Sequence, residues 1–407
     1  MLRLRPFRRA TGLIGVLLLL VAAFLYGKFQ GGFVPWFLFY TLLTVAVYEL
    51  FVYLFALKGV TVTREMTYAR LHAGGELDVQ LTFTRRFAFP LPWVYVKDIL
   101  PEALKRSQHR AATVLFPWFK KTFTFTYVCD DLPRGRHEWH AVQLQVGDLF
   151  GFLQRQQTVA VKSEILVYPK TCEIPVWQTV NEQAAGAAIA YNRLSEDMTT
   201  VVGIRDYVNG DRLGRIHWKA TARGGRLKTK EFALQQANDI VFFLDRREHA
   251  YDVERFERAV SLVASLARYA VKRRFSVGLI SYGKQPFALL PQHSGGDLMQ
   301  LYEHLAEVAA DCPFTADRVM LQEAKRLPYG ATVVFVTSQL GASTVRALSE
   351  LRARRLNVTL FWVRTRRQLA DSEQSRLKTV ALLKVSVTFV DDDRFAEIVR
   401  GGGRSSA

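Results

Sequence analysis

The chain opens with two long apolar runs and continues in shorter segments of changing periodicity. The runs cover residues 11–26 and 33–57, with a short connector at residues 27–32. A membrane-spanning helix needs about 20 apolar residues, which the second run supplies and the first reaches once Phe29 and its neighbours are included. The pattern predicts a two-helix transmembrane hairpin over residues 1–58.

Basic residues that flank the two runs predict their orientation. Four arginines precede the first run, the connector holds only Lys28, and Lys58, Arg64 and Arg70 follow the second. Because basic residues are retained inside the cell, both termini and the soluble domains are expected in the cytoplasm, with the hairpin in the cell (inner) membrane. A cleaved signal peptide is disfavoured, because the cleavage pattern is poor and a second apolar run follows.

Glu49 is the one carboxylate within the hairpin. An acid inside a membrane can mark a functional site. The favoured alternative places Glu49 near the cytoplasmic interface, where it reaches water or the partner helix.

Residues 59–168 change to alternating apolar and polar positions. Residues 77–83, 121–127 and 142–146 alternate with a period of two, as half-buried strands do. Polar turns such as residues 132–136 separate these strands. The pattern predicts a β-sandwich-like domain. Since no acid, base or nucleophile clusters here, the expected role of the domain is mounting or interaction.

Residues 238–400 alternate continuous apolar strands with helical patterns. The strand-like runs are residues 240–245, 276–281, 331–336, 357–362 and 385–390. Strands that alternate with helices in this way predict a parallel sheet covered on both faces. The expected fold class is therefore a membrane-anchored α+β multidomain protein whose last domain is α/β and Rossmann-like. Residues 401–407 are expected to form a disordered tail.

The segment at residues 169–237 lies between these domains and carries strong local signals. Residues 209–211 are a turn signal, and Asp211 is predicted to cap the N-terminus of a short helix. Residues 224–225 are two glycines that can end this helix, because glycine adopts the left-handed conformation at low cost. Within this segment, the small-residue run at residues 184–190 fits either a helix or a connector.

Basic side chains dominate the same segment. Arg215, Lys219 and Arg223 recur at i, i+4 and i+8, so in a helix they form one cationic stripe. Between Arg205 and Lys230 eight Lys or Arg stand against two Asp. This imbalance indicates either an anionic partner or acids supplied from elsewhere in the fold.

A long pattern of residue types in this segment resembles the signature of a known family. It is Arg205-x-Tyr207-x-x-Gly210-Asp211-x-x-x-Arg215-x-His217-Trp218-Lys219-Ala220-x-Ala222-Arg223, followed by Leu227-x-x-Lys230-x-Phe232. The family is the domain-of-unknown-function 58 family of bacterial membrane-associated proteins, and the order of segments agrees over nearly the whole chain. The resemblance implies no established activity. It implies association with MoxR-type AAA+ ATPases, often alongside transglutaminase-like membrane proteins.

We expect the signature to be the functional binding segment. Its candidate residues are Arg205, Tyr207, Gly210, Asp211, Arg215, His217, Trp218, Lys219 and Arg223. Trp218 is expected to anchor the helix or the partner, and a core position is favoured over a platform for stacking bases.

The α/β region also resembles a von Willebrand factor A domain. In that family the first strand ends in Asp-x-Ser-x-Ser, and a Thr and a second Asp complete a metal site. Here Asp245 occupies the first position, Arg247 and His249 replace the serines, and Ser338 stands where the second acid is expected. Thr315 is the candidate for the Thr role. A divalent cation prefers several oxygen ligands, so the resemblance implies a degraded site in which Asp245 pairs with an arginine of its own loop or of the signature.

Composition widens the choice of partner rather than settling it. The net charge of +18 and the pI near 9.9 fit nucleic acid, anionic lipid or an acidic protein. No nucleic-acid-binding pattern is present, so nucleic acid is disfavoured. A lipid bilayer remains a partner, because each basic residue near anionic headgroups contributes about 1 kcal/mol. The three cysteines are far apart and form no C-x-x-C, which fits a reducing compartment.

No catalytic motif accompanies these features. A nucleophilic enzyme needs Ser or Cys beside a His, and neither Gly-x-Ser-x-Gly nor a phosphate-binding P-loop occurs. We therefore expect a scaffold or adaptor, without a cofactor, that docks a MoxR-type AAA+ ATPase or an assembly substrate at the membrane. Two alternatives stay open, a hydrolase centred on His217 and a module that binds anionic lipid or phosphate.

Overall fold

The structure of the chain is a computed structural model with two compact units, Met1–Tyr168 and Pro169–Ala407. It describes residues 8–67, 71–88, 90–106, 111–150, 154–177, 196–208, 211, 213–234, 239–248, 250–291, 297–327, 330–364 and 370–391. The mixed α+β, multidomain organisation predicted from the sequence is confirmed. The small-residue run at 184–190 and the tail at 401–407 lie outside the described residues.

Two helices begin the first unit, α1 (Arg8–Gln30) and α2 (Phe33–Phe55). Gly31 and Gly32 connect them with φ of 64° and 88°, values that glycine adopts readily. The helices pack together through aromatic rings such as those of α1 residue Phe24 and α2 residue Trp36, whose centroids lie 6.2 Å apart. Among the described residues, α2 is long and apolar enough to cross a membrane, whereas the apolar part of α1, Ile14–Gln30, is shorter.

The C-terminal end of α2 belongs to the core of the first unit. Val52, Ala56 and Leu57 are buried in the same cluster as the strands that follow. Glu49 is 1% exposed, and its carboxyl group faces that of Asp148. The expectation that Glu49 reaches water is therefore wrong, because this part of α2 is buried against the strand domain. Its contact with the other helix stays a prediction.

Seven strands of the first unit form two antiparallel sheets, ordered β1-β2-β5 and β4-β3-β6-β7. The strands are β1 (Val60–Thr67), β2 (Leu77–Arg85), β3 (Trp93–Asp98), β4 (Ala112–Leu115), β5 (Thr122–Cys129), β6 (Gly135–Gly147) and β7 (Gln154–Val167). Alternate residues of β2 are fully buried while their neighbours are not, as the period of two predicts. The strands predicted near residues 77–83, 121–127 and 142–146 are confirmed.

A buried ion pair joins the two sheets. Arg64 of β1 and Asp98 of β3 approach to 2.6 Å, and both side chains are 0% exposed. Tyr127 donates a hydrogen bond to Asp98 at 2.7 Å, and Arg64 donates another to the carbonyl of Val161 at 2.8 Å. The charged groups therefore have several polar partners inside an otherwise apolar core.

The second unit contains a six-stranded sheet in the order β12-β11-β10-β13-β14-β15. The strands are β10 (Asp239–Leu244), β11 (Ser276–Ser281), β12 (Phe287–Leu289), β13 (Thr332–Thr337), β14 (Asn357–Val363) and β15 (Ser386–Val390). All neighbours pair in parallel except β12, which is antiparallel to β11. Counted within this sheet, the order is 3-2-1-4-5-6, that of a doubly wound α/β fold. The five apolar runs predicted as strands are confirmed.

Helices cover both faces of this sheet. They are α4 (Val253–Lys272), α5 (Asp297–Glu307), α6 (Ala316–Glu323), α7 (Ala342–Ala353) and α8 (Asp371–Leu382). One apolar cluster joins α4 and α5 to one face, and another joins the last three helices to the opposite face. Trp177, from the segment that enters the unit, packs between Phe242, Tyr269 and Phe361.

Candidate functional site

The signature segment forms a two-stranded antiparallel ribbon of β8 (Glu196–Asp206) and β9 (Lys228–Leu234). A 3-10 turn (Leu213–Arg215) and the short helix α3 (Trp218–Gly224) lie between the two strands along the chain. The backbone N–H of His217 donates to the carbonyl of Lys228 at 2.7 Å, which holds the start of α3 against β9.

Asp211 closes the turn before the 3-10 turn and does not cap a helix, so that prediction is wrong. Its carboxylate pairs with Arg205 at 2.7 Å, and it accepts hydrogen bonds from the Val208 N–H at 3.1 Å and the Thr229 hydroxyl at 3.4 Å. The α-helix that follows, α3, begins only at Trp218. The Arg205 guanidinium holds the pKa of Asp211 below its usual range. Gly210 lies outside the described residues.

His217 is the residue that caps α3. Its Nδ1 accepts a hydrogen bond from the Ala220 N–H at 3.0 Å, so Nδ1 carries no proton in this arrangement. At the other end Gly225 adopts φ of 67° and its N–H donates to the Thr221 carbonyl at 3.1 Å. The helix end predicted at residues 224–225 is confirmed.

The cationic stripe is shorter than the sequence predicts. Arg215 lies in the 3-10 turn rather than in α3, so the three-residue stripe through Arg215, Lys219 and Arg223 is wrong; the side chain of Arg215 lies outside the described part. Lys219 and Arg223 remain one helical turn apart on α3, and both are exposed. No Asp or Glu of the described ranges forms an ion pair with either.

Trp218 is the most unexpected side chain of the ribbon, because it is 68% exposed. The expectation of a core position is therefore wrong. Trp218 is the first residue of a seven-residue helix, in which no residue is buried, so α3 offers its ring little surface to pack against. Tyr207 is half-buried and its N–H donates to the carbonyl of Leu227 at 2.9 Å, which closes the base of the loop.

A basic groove of about 350 Å³ lies beside α3. It is bounded by Ile204, His217, Lys219, Ala220, Arg223, Gly224 and Lys228. No Ser or Cys of the described segments lines this groove, and the Thr221 hydroxyl nearby accepts the Lys228 N–H. The groove can bind an anion, but its lining offers His217 no nucleophile to activate.

A second polar cluster lies where strands β10 and β13 end. Ligands of doubly wound sheets bind at the carboxyl ends of the strands where the strand order reverses, which here is between β10 and β13. Asp245 follows β10, is 2% exposed, and accepts a hydrogen bond from the Thr337 hydroxyl at 2.8 Å. The Arg247 guanidinium pairs with it through Nη2 at 2.7 Å and Nε at 3.0 Å. The charge of Asp245 is therefore neutralised by an arginine of its own loop.

The other candidate metal ligands of this region have polar partners of their own. Thr315 directly precedes α6, and its side chain hydrogen-bonds to Asp317, so its role as a metal ligand stays a prediction. Ser338 donates its hydroxyl to the carbonyl of Ala250. Within the described ranges no three His, Cys, Asp or Glu come together as a metal site would require. His249 lies outside those ranges.

Sequence reasoning missed the role of the neighbouring Arg246. Its guanidinium pairs with Asp311 at 2.5 Å and donates to the Ala309 carbonyl at 2.8 Å, so it joins two loops at this edge of the sheet. Gly283 leaves room for this ion pair, since a Cβ there would lie 2.1 Å from Asp311 Oδ1 and 2.4 Å from Arg246 Cζ. Only the two adjacent arginines after an apolar strand hinted at this cluster.

Together the fold and these sites define a two-unit α+β protein with an apolar helix long enough to cross a membrane and an exposed cationic ribbon. Residues 203–378 match the family model described as "Protein of unknown function DUF58". The chain is also 29% identical over 391 residues to the "Uncharacterized protein YeaD" of Bacillus subtilis (strain 168), an alignment that covers 95% of this chain and 97% of the relative. The resemblance drawn from the signature is thus supported over residues 203–378, and neither description names an activity.

Two solved structures are also similar to parts of the chain. Proximal thread matrix protein 1 from the mussel byssus is 10% identical with a TM-score of 0.31, over 40% of this chain and 46% of that one. BslA, a bacterial hydrophobin, is 11% identical with a TM-score of 0.18, over 25% of this chain and 98% of that one. These TM-scores are too low to define a shared fold.

The Asp211 network leads to a prediction about pH. Arg205 lowers the pKa of Asp211 in the folded state. The stabilisation that the ionised Asp211 gives to the folded loop is therefore complete above the ordinary aspartate range, and it is lost as the pH falls through the lowered pKa. We expect Asp211→Asn to speed hydrogen exchange in residues 205–211 at neutral pH, and wild type to approach the variant only in acid. Equal exchange of the two proteins at neutral pH would contradict this role.

Proposed function

We propose that the chain is a membrane-anchored adaptor whose ribbon helix α3 binds an acidic surface of a partner protein. In this proposal α1 and α2 form a two-span anchor, with both termini and both units in the cytoplasm. The basic residues that flank the two helices support this orientation. The α/β domain is of the von Willebrand A type, a proposal that the strand order 3-2-1-4-5-6 with its antiparallel edge supports.

The observation that carries the proposal is the exposed Trp218 beside two exposed cations, Lys219 and Arg223. Energetic hot spots of protein interfaces are enriched in Trp and Arg. A Trp that served only to hold the ribbon would be buried, and cations that served only the fold would have acidic neighbours. The MoxR-type AAA+ ATPase that the family resemblance implies is the partner we propose, with a transglutaminase-like membrane protein or an assembly substrate as further candidates.

Arg247 indicates that the proposed adaptor does not need a metal ion. It occupies the place beside Asp245 that a cation takes in a von Willebrand A-type metal site, so the adaptor binds its partner without metal in this proposal. Catalysis of ATP turnover then belongs to the partner.

The basic groove favours a second candidate function, the binding of phosphate or an anionic headgroup. His217, Lys219, Arg223 and Lys228 line it together. A phosphate group would tolerate Arg223→Lys, whereas a bidentate contact with a protein carboxylate would not. Calorimetric titration of the purified chain with inorganic phosphate, at two salt concentrations, tests this candidate directly.

The docking test compares two charge reversals in the full chain solubilised in detergent. Lys219→Glu/Arg223→Glu changes the proposed surface, and Lys325→Glu/Lys378→Glu makes the same change of charge at two exposed lysines elsewhere in the second unit. We expect the first variant to lose binding to a purified MoxR-type AAA+ ATPase of the same organism by about tenfold or more, since like charges replace complementary ones. The second is expected to bind as wild type does.

Trp218→Ala separates the contribution of the ring from that of charge. Loss of an exposed hot-spot side chain costs about 2 kcal/mol or more of binding, without loss of folding stability. If all variants bind the ATPase equally, the ribbon is not the docking surface.

A further inference from the structure

Four aromatic side chains project from two neighbouring loops of the first unit. Phe87 lies after β2 and is 47% exposed, while Phe116, Trp118 and Phe119 lie between β4 and β5 and are 67%, 51% and 62% exposed. Scattered exposed apolar residues are ordinary, but a contiguous group of large rings marks a surface that contacts a partner or a membrane.

The two loops hold these rings outward through backbone and guanidinium contacts. Leu91 and Trp118 exchange backbone hydrogen bonds at 3.1 and 3.0 Å, which joins one loop to the other. Arg85 is 4% exposed and donates to the carbonyls of Trp118 at 2.9 Å and Lys120 at 3.1 Å. The exposure of the rings is therefore built into a bonded loop pair.

The loop pair lies beside the end of the apolar helix α2. The ring of Phe87 lies 6.4 Å from that of Phe55, the last residue of α2. Gly59, which precedes β1, lies so close to Arg86 that a Cβ at this glycine would be 3.1 Å from the Arg86 Cβ. The aromatic rings are thus continuous with the surface of α2.

The segments that carry or adjoin the rings hold only basic charged residues. Residues 55–61, 85–91 and 116–121 contain no Asp or Glu. Exposed basic side chains stand there at Lys58, Arg86, Lys120 and Lys121. Aromatic rings together with basic residues at the end of a membrane span are what the headgroup layer of an anionic bilayer accommodates.

We propose that this aromatic–basic face, formed by Phe87, Phe116, Trp118, Phe119, Lys58, Arg86, Lys120 and Lys121, enters the headgroup layer of an anionic bilayer. The inference rests on the membrane anchoring proposed above and adds a lipid contact made by the strand domain itself. A protein partner is the alternative occupant. The lipid is favoured because the face continues the surface of α2, which already requires an apolar solvent.

The test places single nitroxide labels on the full chain reconstituted in vesicles of phosphatidylcholine and phosphatidylglycerol. Cys172→Ser removes the native cysteine that is not buried, and the labels are then attached to Phe119→Cys, Phe37→Cys or Val128→Cys. Phe37 reports on α2. Val128 is exposed near the opposite end of β5 from the face, because β5 starts beside Lys121 and ends at Cys129. Collision with oxygen and with a water-soluble nickel chelate measures the depth of each label.

We expect the label at position 119 to collide with the nickel chelate several-fold less than the label at position 128, and to approach the label at position 37. Adding Lys120→Glu/Lys121→Glu is expected to return the label at 119 toward water, because each basic residue near an anionic surface is worth about fivefold in affinity. The label at 128 should not change, which shows that the fold is intact.

Two results would overturn the inference in distinguishable ways. If the label at 37 is in lipid while the label at 119 is as accessible to nickel as the label at 128, the anchor holds and the face does not touch the bilayer. If the label at 37 is also in water, the proposed anchoring fails and the lipid contact fails with it.

Discussion

Replacing Arg247 with methionine is expected to lower the free energy of unfolding by about 3–5 kcal/mol, because the Asp245 carboxylate then stays buried without its countercharge. Asp245 is 2% exposed and would keep only the Thr337 hydroxyl and the backbone N–H of residue 247 as polar partners. The measurement is urea denaturation of the full chain in detergent, followed by the loss of secondary structure of the second unit.

A double replacement provides the control for this change. Asp245→Leu/Arg247→Met removes both charges, and it should cost much less than Arg247→Met alone, since an apolar pair leaves nothing unpaired. We also expect millimolar Mg²⁺ not to restore Arg247→Ser, because Thr315 and Ser338 have other hydrogen-bond partners. Clear stabilisation of this variant by Mg²⁺ would show that the oxygen ligands can assemble after all.

Arg64→Met in the first unit is expected to lower the free energy of unfolding by a similar amount, about 3–5 kcal/mol, because it leaves Asp98 without a countercharge between the two sheets. Both side chains of this pair are 0% exposed. A double-mutant cycle with Asp98→Leu measures the coupling between them, and the double variant is expected to lie closer to wild type than either single variant.

An exposed ion pair in the same unit serves as the matched control. Arg136 and Glu164 pair across β6 and β7 with side chains 48% and 52% exposed. Screening by water makes such pairs weak, so Arg136→Ala should change stability by no more than about 1 kcal/mol. If Arg64→Met and Arg136→Ala cost the same, burial does not govern the strength of these pairs.

The sequence predicts the strands of both units well, because the pattern of burial is written directly in the order of residues. The period of two at residues 77–83 requires one buried face. The continuous apolar run at residues 240–245 instead requires burial on both faces, which a parallel sheet between helices provides. Neither inference needs knowledge of distant contacts.

The signature segment was harder to predict, because local signals compete there. Asp211 suits a helix cap, but a carboxylate that can reach Arg205 and Thr229 across a ribbon gains more partners than a cap offers. The regular spacing of Arg215, Lys219 and Arg223 suggested one helix, yet the chain forms a 3-10 turn first and α3 holds only two of the three. Spacing alone does not say where a helix starts.

Contacts between distant loops were beyond sequence reasoning altogether. Arg246 pairs with Asp311, and Phe87 lies beside Phe55, but neither contact leaves a local pattern. Such contacts depend on the topology of the strands, which sets which loops meet at the same end of a domain. The clusters they form are also where the candidate sites lie.

The direct passage from α2 into the first unit has a mechanical consequence. Only residues 56–59 separate α2 from β1, and Ala56 and Leu57 are themselves buried in the strand core. The strand domain is therefore not joined to the helix by a flexible linker about which it could rotate. A tilt or rotation of the helix would be transmitted as torque to the strands, so the first unit should move with α2 as one rigid body.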